Sequence, residues 1–194
     1  MKQLLALGFS LLLLGCATTS PTPPAGEAPA ADGASSAAFA AALKAQQQGE
    51  LATARDGYLA LTSAQPGLQP AWYNLGLVAL AQSDLTLAAQ ACEGAVTAAA
   101  TARSYHLCGR VARAAGDLKA AAEAYAAGLK LAPDDAELHL DAGVLAEIYL
   151  GQPQQALAHY QAHVAAGGSR SDEAKQWIAL LQASAPEAPT EEPL

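Results

Sequence analysis

Between residues 102 and 135, apolar and small residues recur every three or four positions. The pattern breaks once, at Gly116-Asp117, and closes at Pro133. That spacing predicts two amphipathic helices joined by a tight turn. Gly109 and Ala121 are small enough to mark helix crossings, and Tyr105 and Tyr125 fall near the packing faces. β-branched runs are almost absent, which argues against strands. Similar patterns lie upstream and downstream at a period of about 34 residues, the signature of a helix–turn–helix repeat.

Aligned on that turn, the chain divides into units at residues 35–68, 69–101, 102–135 and 136–170. The first turns at Gly49-Glu50, and its first helix is nearly all Ala, as weak terminal repeats often are. The second turns at Ser83-Asp84 and has Ala100 where a Pro is expected. In the fourth, Pro153 opens the second helix, a position where Pro is tolerated, and the LGQPQQ turn reads one residue longer than its counterparts. Residues 171–184 read as one further helix. Its Trp177, Ile178, Leu180 and Leu181 would cover the last unit, as the end of a solenoid requires.

Trp72, Leu75 and Gly76 spell a W-x-x-L-G core that, with the recurring small residues, resembles the tetratricopeptide repeat (TPR) family over about 150 residues. The resemblance implies an all-α, right-handed superhelical solenoid of about four helix–turn–helix repeats plus a C-terminal capping helix. It also implies a concave groove lined by the first helix of each unit, which takes an extended peptide or a partner's helix. The family's groove positions fall here on Tyr73, Asn74, Leu77 and Leu80 in the second unit. In the third they fall on Arg103, His106, Arg110 and Arg113, and in the fourth on Glu137, Leu140, Asp141, Val144 and Glu147. Some relatives clamp a C-terminal carboxylate. Asn74 and Arg103 match that clamp, but Phe39, Leu43 and Leu107 replace the rest of it, so chaperone-tail binding is not expected.

Charge sharpens this picture. The chain has 18 acidic residues against 10 Lys and Arg, a formal net charge of −8. Phosphate backbones need a basic surface, so this balance argues against general nucleic-acid binding. Against that acidic background, Arg103, Arg110 and Arg113 lie along one stripe of a helix. Arg forks suit carboxylates and phosphates. The stripe is therefore either a seat for an acidic partner segment or a solvated face paired with acids such as Glu137 and Asp141.

The ends read differently. Residues 1–15 carry one Lys before an apolar run from Leu4 to Leu14, too short to span a bilayer comfortably and suited to a secretory signal. Leu13-Leu14-Gly15-Cys16 resembles the lipobox of bacterial lipoproteins. That resemblance implies cleavage after Gly15, diacylglycerol on Cys16 and, with Ala17 following, sorting to the outer membrane facing the periplasm. Each buried methylene of such an anchor contributes about 0.8 kcal/mol. Residues 16–34 are Pro- and Ala-rich and read as a tether, and residues 185–194 as an acidic, Pro-rich tail.

Cys92 and Cys108 each lie eight residues from Ala100, where the chain reverses. Antiparallel helices bring such positions face to face, and a periplasmic setting favours a disulfide. The alternative is two buried thiols packing as small hydrophobes. His159 and His163 stand at i and i+4, but no third ligand or neighbouring base accompanies them, so a structural or solvent-facing pair is expected and no metal. No phosphate loop or nucleophile elbow is present, and no cofactor is expected. The sequence thus points to a non-enzymatic, lipid-anchored scaffold that presents its groove to a protein of an envelope assembly. Pilus or secretin biogenesis, a TonB-type system and peptidoglycan-hydrolase recruitment all fit. The alternative is a module binding polysaccharide or peptidoglycan fragments through Tyr73 and Tyr105.

Overall fold

The computed structural model describes residues 33–184. The expected signal segment, Cys16, most of the expected tether and the 185–194 tail lie outside them. The described residues form nine α-helices and no strand: α1 (Gly33–Gln47), α2 (Leu51–Ala64), α3 (Gln69–Ala81), α4 (Leu85–Ala98), α5 (Ala102–Ala114), α6 (Leu118–Leu131), α7 (Ala136–Val144), α8 (Pro153–Ala165) and α9 (Ser171–Ala183). Gly33 and Ala34, expected in the tether, belong to α1.

Each helix packs on the next in sequence, and α3 also packs beside α5. The core follows this order. It is a row of local clusters, each shared by neighbouring helices, with no common centre. This is the nearest-neighbour construction of a solenoid.

Turn chemistry explains why the helices stop and restart where they do. Gly49, Gly116 and Gly151 adopt φ of +77°, +82° and +63°, and Ser83 fills the same place at +58°. The carboxylates of Asp84, Asp117 and Asp135 then accept from Leu87, Ala120 and Leu138 N–H at 2.9, 2.9 and 3.0 Å. These side chains satisfy donors that the first helical turn leaves open.

Small residues set the helix crossings. A Cβ on Gly109 would clash with the ring of Tyr125, and one on Gly143 would meet the Tyr160 ring at 2.6 Å. Tyr58, Tyr125 and Tyr160 hold equivalent buried places on α2, α6 and α8. In α4 that place, eight residues after the turn Asp, belongs to Cys92. Its sulfur forms a disulfide with Cys108 on α5, with Cα atoms 5.1 Å apart. The bond therefore ties the second unit to the third.

Two details differ from the sequence reading. The fourth unit's extra residue does not lengthen its loop. It is absorbed as a π-helical turn, Leu145–Tyr149, that continues α7, with Leu150 N–H donating to Leu145 C=O at 3.1 Å. On α9, Trp177, Ile178 and Leu181 pack over α8 as expected, but Leu180 is 68% exposed. At 100° per residue, apolar positions 177, 178, 180 and 181 cannot all reach one narrow face.

Candidate functional site

The first helices of the last three units, α3, α5 and α7, together line a cleft of about 460 Å³. Tyr73 comes from α3, Arg103, His106 and Arg110 from α5, and Glu137, Leu140 and Asp141 from α7. Asp135 and Arg170 close its rim.

Asp141 organises the floor. Its Oδ2 lies 2.7 Å from His106 Nε2 and 3.9 Å from Arg110 Nε, and its Oδ1 lies 3.1 Å from an Arg113 Nη. Burial pushes the carboxyl up, but the His106 hydrogen bond and the Arg113 and Arg110 charges outweigh burial and hold it below its ordinary 3.8. One carboxylate thus faces three cationic or hydrogen-bonding side chains of α5. It compensates only part of their charge.

The remaining partners are distributed unevenly. Arg103 lies over the Tyr73 ring, 4.1 Å from its centroid, a cation–π contact, and has no carboxylate partner among the described residues. The acids of the rim are already engaged. Asp135 caps α7, and Glu137 accepts from the Ser169 hydroxyl at 2.9 Å. Arg170 gives its fork to Glu173 and lies over Trp177. The open hydrogen-bonding capacity of the cleft is therefore concentrated in the Arg103 and Arg110 guanidiniums.

Of the expected groove residues, Tyr73, Arg103, His106, Arg110, Leu140 and Asp141 meet in this cleft. Arg113 lines an adjoining one with Leu80, Arg110, Ala114 and Tyr149. Asn74, Leu77 and Val144 line neither. Asn74 is buried and its amide donates to its own helix, at Pro70 C=O, 2.9 Å away, the local bond that short polar side chains favour. Leu77 packs into the core between α3 and α5, and Val144 into that of α7 and α8. Glu147 accepts from Tyr160 Oη at 2.7 Å.

Arg170 and Asp135 were not legible as cleft residues, because both sit at helix starts that carry no groove pattern. His159 is partnered by His139, not His163. The two Nδ1 atoms are 3.0 Å apart, and His139 Nε2 donates to Pro133 C=O. His139 Nδ1 is then the acceptor when both rings are neutral. His163 is buried, with Nδ1 bonded to Ala136 C=O at 2.8 Å. Among the described residues no group of three or more His, Cys, Asp or Glu is arranged to hold a metal ion.

No family model matches the chain, and no curated protein sequence does. Solved structures do. PilF of Pseudomonas aeruginosa superimposes with a TM-score of 0.69 at 16% identity, over 77% of this chain and 68% of that one. The fold is a tetratricopeptide-repeat solenoid. The TPR likeness extends to MamA, with a TM-score of 0.62 at 17% identity over 77% of this chain and 81% of that one. It also extends to YrrB, described as a TPR protein with an unusual peptide-binding site, at 0.56 and 18% over 75% of each chain.

Proposed function

We propose that this TPR chain is a non-enzymatic interaction scaffold whose groove binds an acidic segment of a protein partner. The observation that carries this reading is the surplus of guanidinium on α5. Arg110 and Arg113 share the single carboxylate of Asp141, and Arg103 pairs with no carboxylate among the described residues, in a chain of net charge −8. An isolated surface pair contributes about 0–1 kcal/mol. Two forks left open in a shared cleft offer an incoming carboxylate bidentate, charge-assisted bonds instead.

The lipobox-like Leu13-Leu14-Gly15-Cys16 supports the finer part of the proposal, a lipid anchor on Cys16 in the outer membrane that holds the solenoid toward the periplasm. The partner is then a component of an envelope assembly, such as pilus or secretin biogenesis, a TonB-type system or peptidoglycan-hydrolase recruitment. Glycan binding has less support. Tyr73 is buried beneath the Arg103 guanidinium, and Tyr105 does not line the cleft, so neither offers an open platform for a sugar ring.

The test is affinity capture from envelopes with the native chain and with Arg110→Glu, alongside helical circular dichroism. The proposal expects a protein partner that Arg110→Glu loses at unchanged helicity. Unchanged capture by the variant, or retention of glycan alone, would contradict it.

A further inference from the structure

We infer that the groove recognises two features of one extended segment: an acidic residue, and a large apolar residue about four positions away. This rests on the reading of the first-helix face as the partner site. The acidic requirement comes from the open forks of Arg103 and Arg110. The apolar requirement comes from the far end of the same face.

There the second cleft, of about 260 Å³, is lined by Leu80, Arg110, Arg113, Ala114 and Tyr149. Arg110 lines both clefts, so the two adjoin across its side chain. The apolar lining of the second comes from the C-terminal ends of α3 and α5 and from the π-helical turn after α7. Counted back from the inter-helix loops, Tyr149 holds the place of Ala81 and Ala114 in the preceding units. The fourth unit thus sets an aromatic ring where the second and third set a methyl group, on a turn carrying one inserted residue. Such π-bulges recur at functional sites.

Tyr149 is 48% exposed, and its neighbours Ile148 and Leu150 are 67% and 36% exposed. Successive helical side chains point in different directions: Leu150 lines a separate cleft with residues of α6 and α8, and Tyr149 is the one of the three that lines this cleft. The guanidiniums next to it commit the occupant's chemistry. Whatever covers Tyr149 also passes Arg110, and must answer its charge.

Geometry sets the spacing. His106, central to the first cleft, and Ala114, in the second, are eight residues apart on α5, which is about 12 Å at 1.5 Å per residue. An extended chain advances about 3.3 Å per residue and covers that distance in about four residues. The corresponding partner motif is one Asp or Glu and one Phe, Leu or Tyr at that separation.

The experiment uses fluorescein-labelled peptides of equal length with capped ends. Each carries one Glu and one Phe in a Gly/Ser background, at separations from about two to about eight positions. Fluorescence anisotropy with the folded chain should give tightest binding near a separation of four. Tyr149→Ala should weaken the best peptide about tenfold, Arg110→Glu should weaken it at least as much, and Tyr149→Phe should retain it. Affinity independent of separation, indifference to Tyr149→Ala, or no binding by any peptide overturns the inference. Photo-crosslinkers separate this failure from failure of the scaffold reading. A partner crosslinked from position 103 but not from 149 leaves the scaffold standing and removes the two-point motif. A partner crosslinked from neither removes both.

Discussion

Gly109 shows how one hydrogen atom sets the geometry of a unit. The Tyr125 ring occupies the space that a side chain at 109 would need, and Tyr125 is itself buried against α7. Gly109→Ala must therefore push the ring off its rotamer or spread α5 from α6, and overpacking of that kind costs about 2 kcal/mol. A urea titration should show a lowered midpoint. An unchanged midpoint would mean that the ring relaxes freely. His159 carries the pH dependence at the same scale. Burial, and then the adjacent His139, hold its imidazole below the ordinary 6.5. The folded state thus resists protonation more than the unfolded chain does, so stability present above pH 6.5 falls as the pH drops below it. His159→Gln should flatten that limb, and a stability profile unaltered by the substitution would show that the His139–His159 contact is not responsible. The pairing itself was hidden in the sequence. His159 and His163 are neighbours by helical spacing, whereas His139 lies 20 residues away on another helix and meets His159 only through packing.

Among elements, the α4–α5 connection is the distinctive one. Three units place a buried Tyr on the second helix, and the second unit places Cys92 there and covalently joins Cys108. In a solenoid each interface is local, so a crosslink between units adds where neighbouring clusters alone would hold. Closing a loop with a sequence separation of 16 restricts the unfolded chain by about 3 kcal/mol. Reduction, or Cys92→Ala with Cys108→Ala, should lower the unfolding free energy by about that amount. A fully reduced chain with an unshifted transition would contradict it. Helix number and turn positions were legible because Gly-Asp and Ser-Asp signals punctuate an Ala-rich periodic sequence. The π-helical turn was not, because one added residue near Leu150-Gly151 reads equally well as a longer loop. Nor was the outward face of Leu180, since apolar character alone does not say which of four crowded positions misses the contact.

For the whole molecule, the first-helix face gathers the Arg stripe, the Asp141 floor and the exposed π-turn aromatic. The stripe was visible in the sequence as helical spacing. The way Asp141 answers only part of its charge required the packing of α5 on its neighbours. If the N-terminal lipobox operates, Cys16→Ser should release the chain from membranes in fractionation, and continued membrane association of that variant would remove the anchor from the account. The most direct test of the central claim is a photo-crosslinker at position 103 in the groove, compared with one at position 123, where Glu123 is exposed on the second helix α6. The account predicts a protein adduct from 103 that disappears when Arg110→Glu is added, with none from 123. Equal adducts from both positions, or an adduct from 103 indifferent to Arg110→Glu, would show that the groove is not where this solenoid meets its partner.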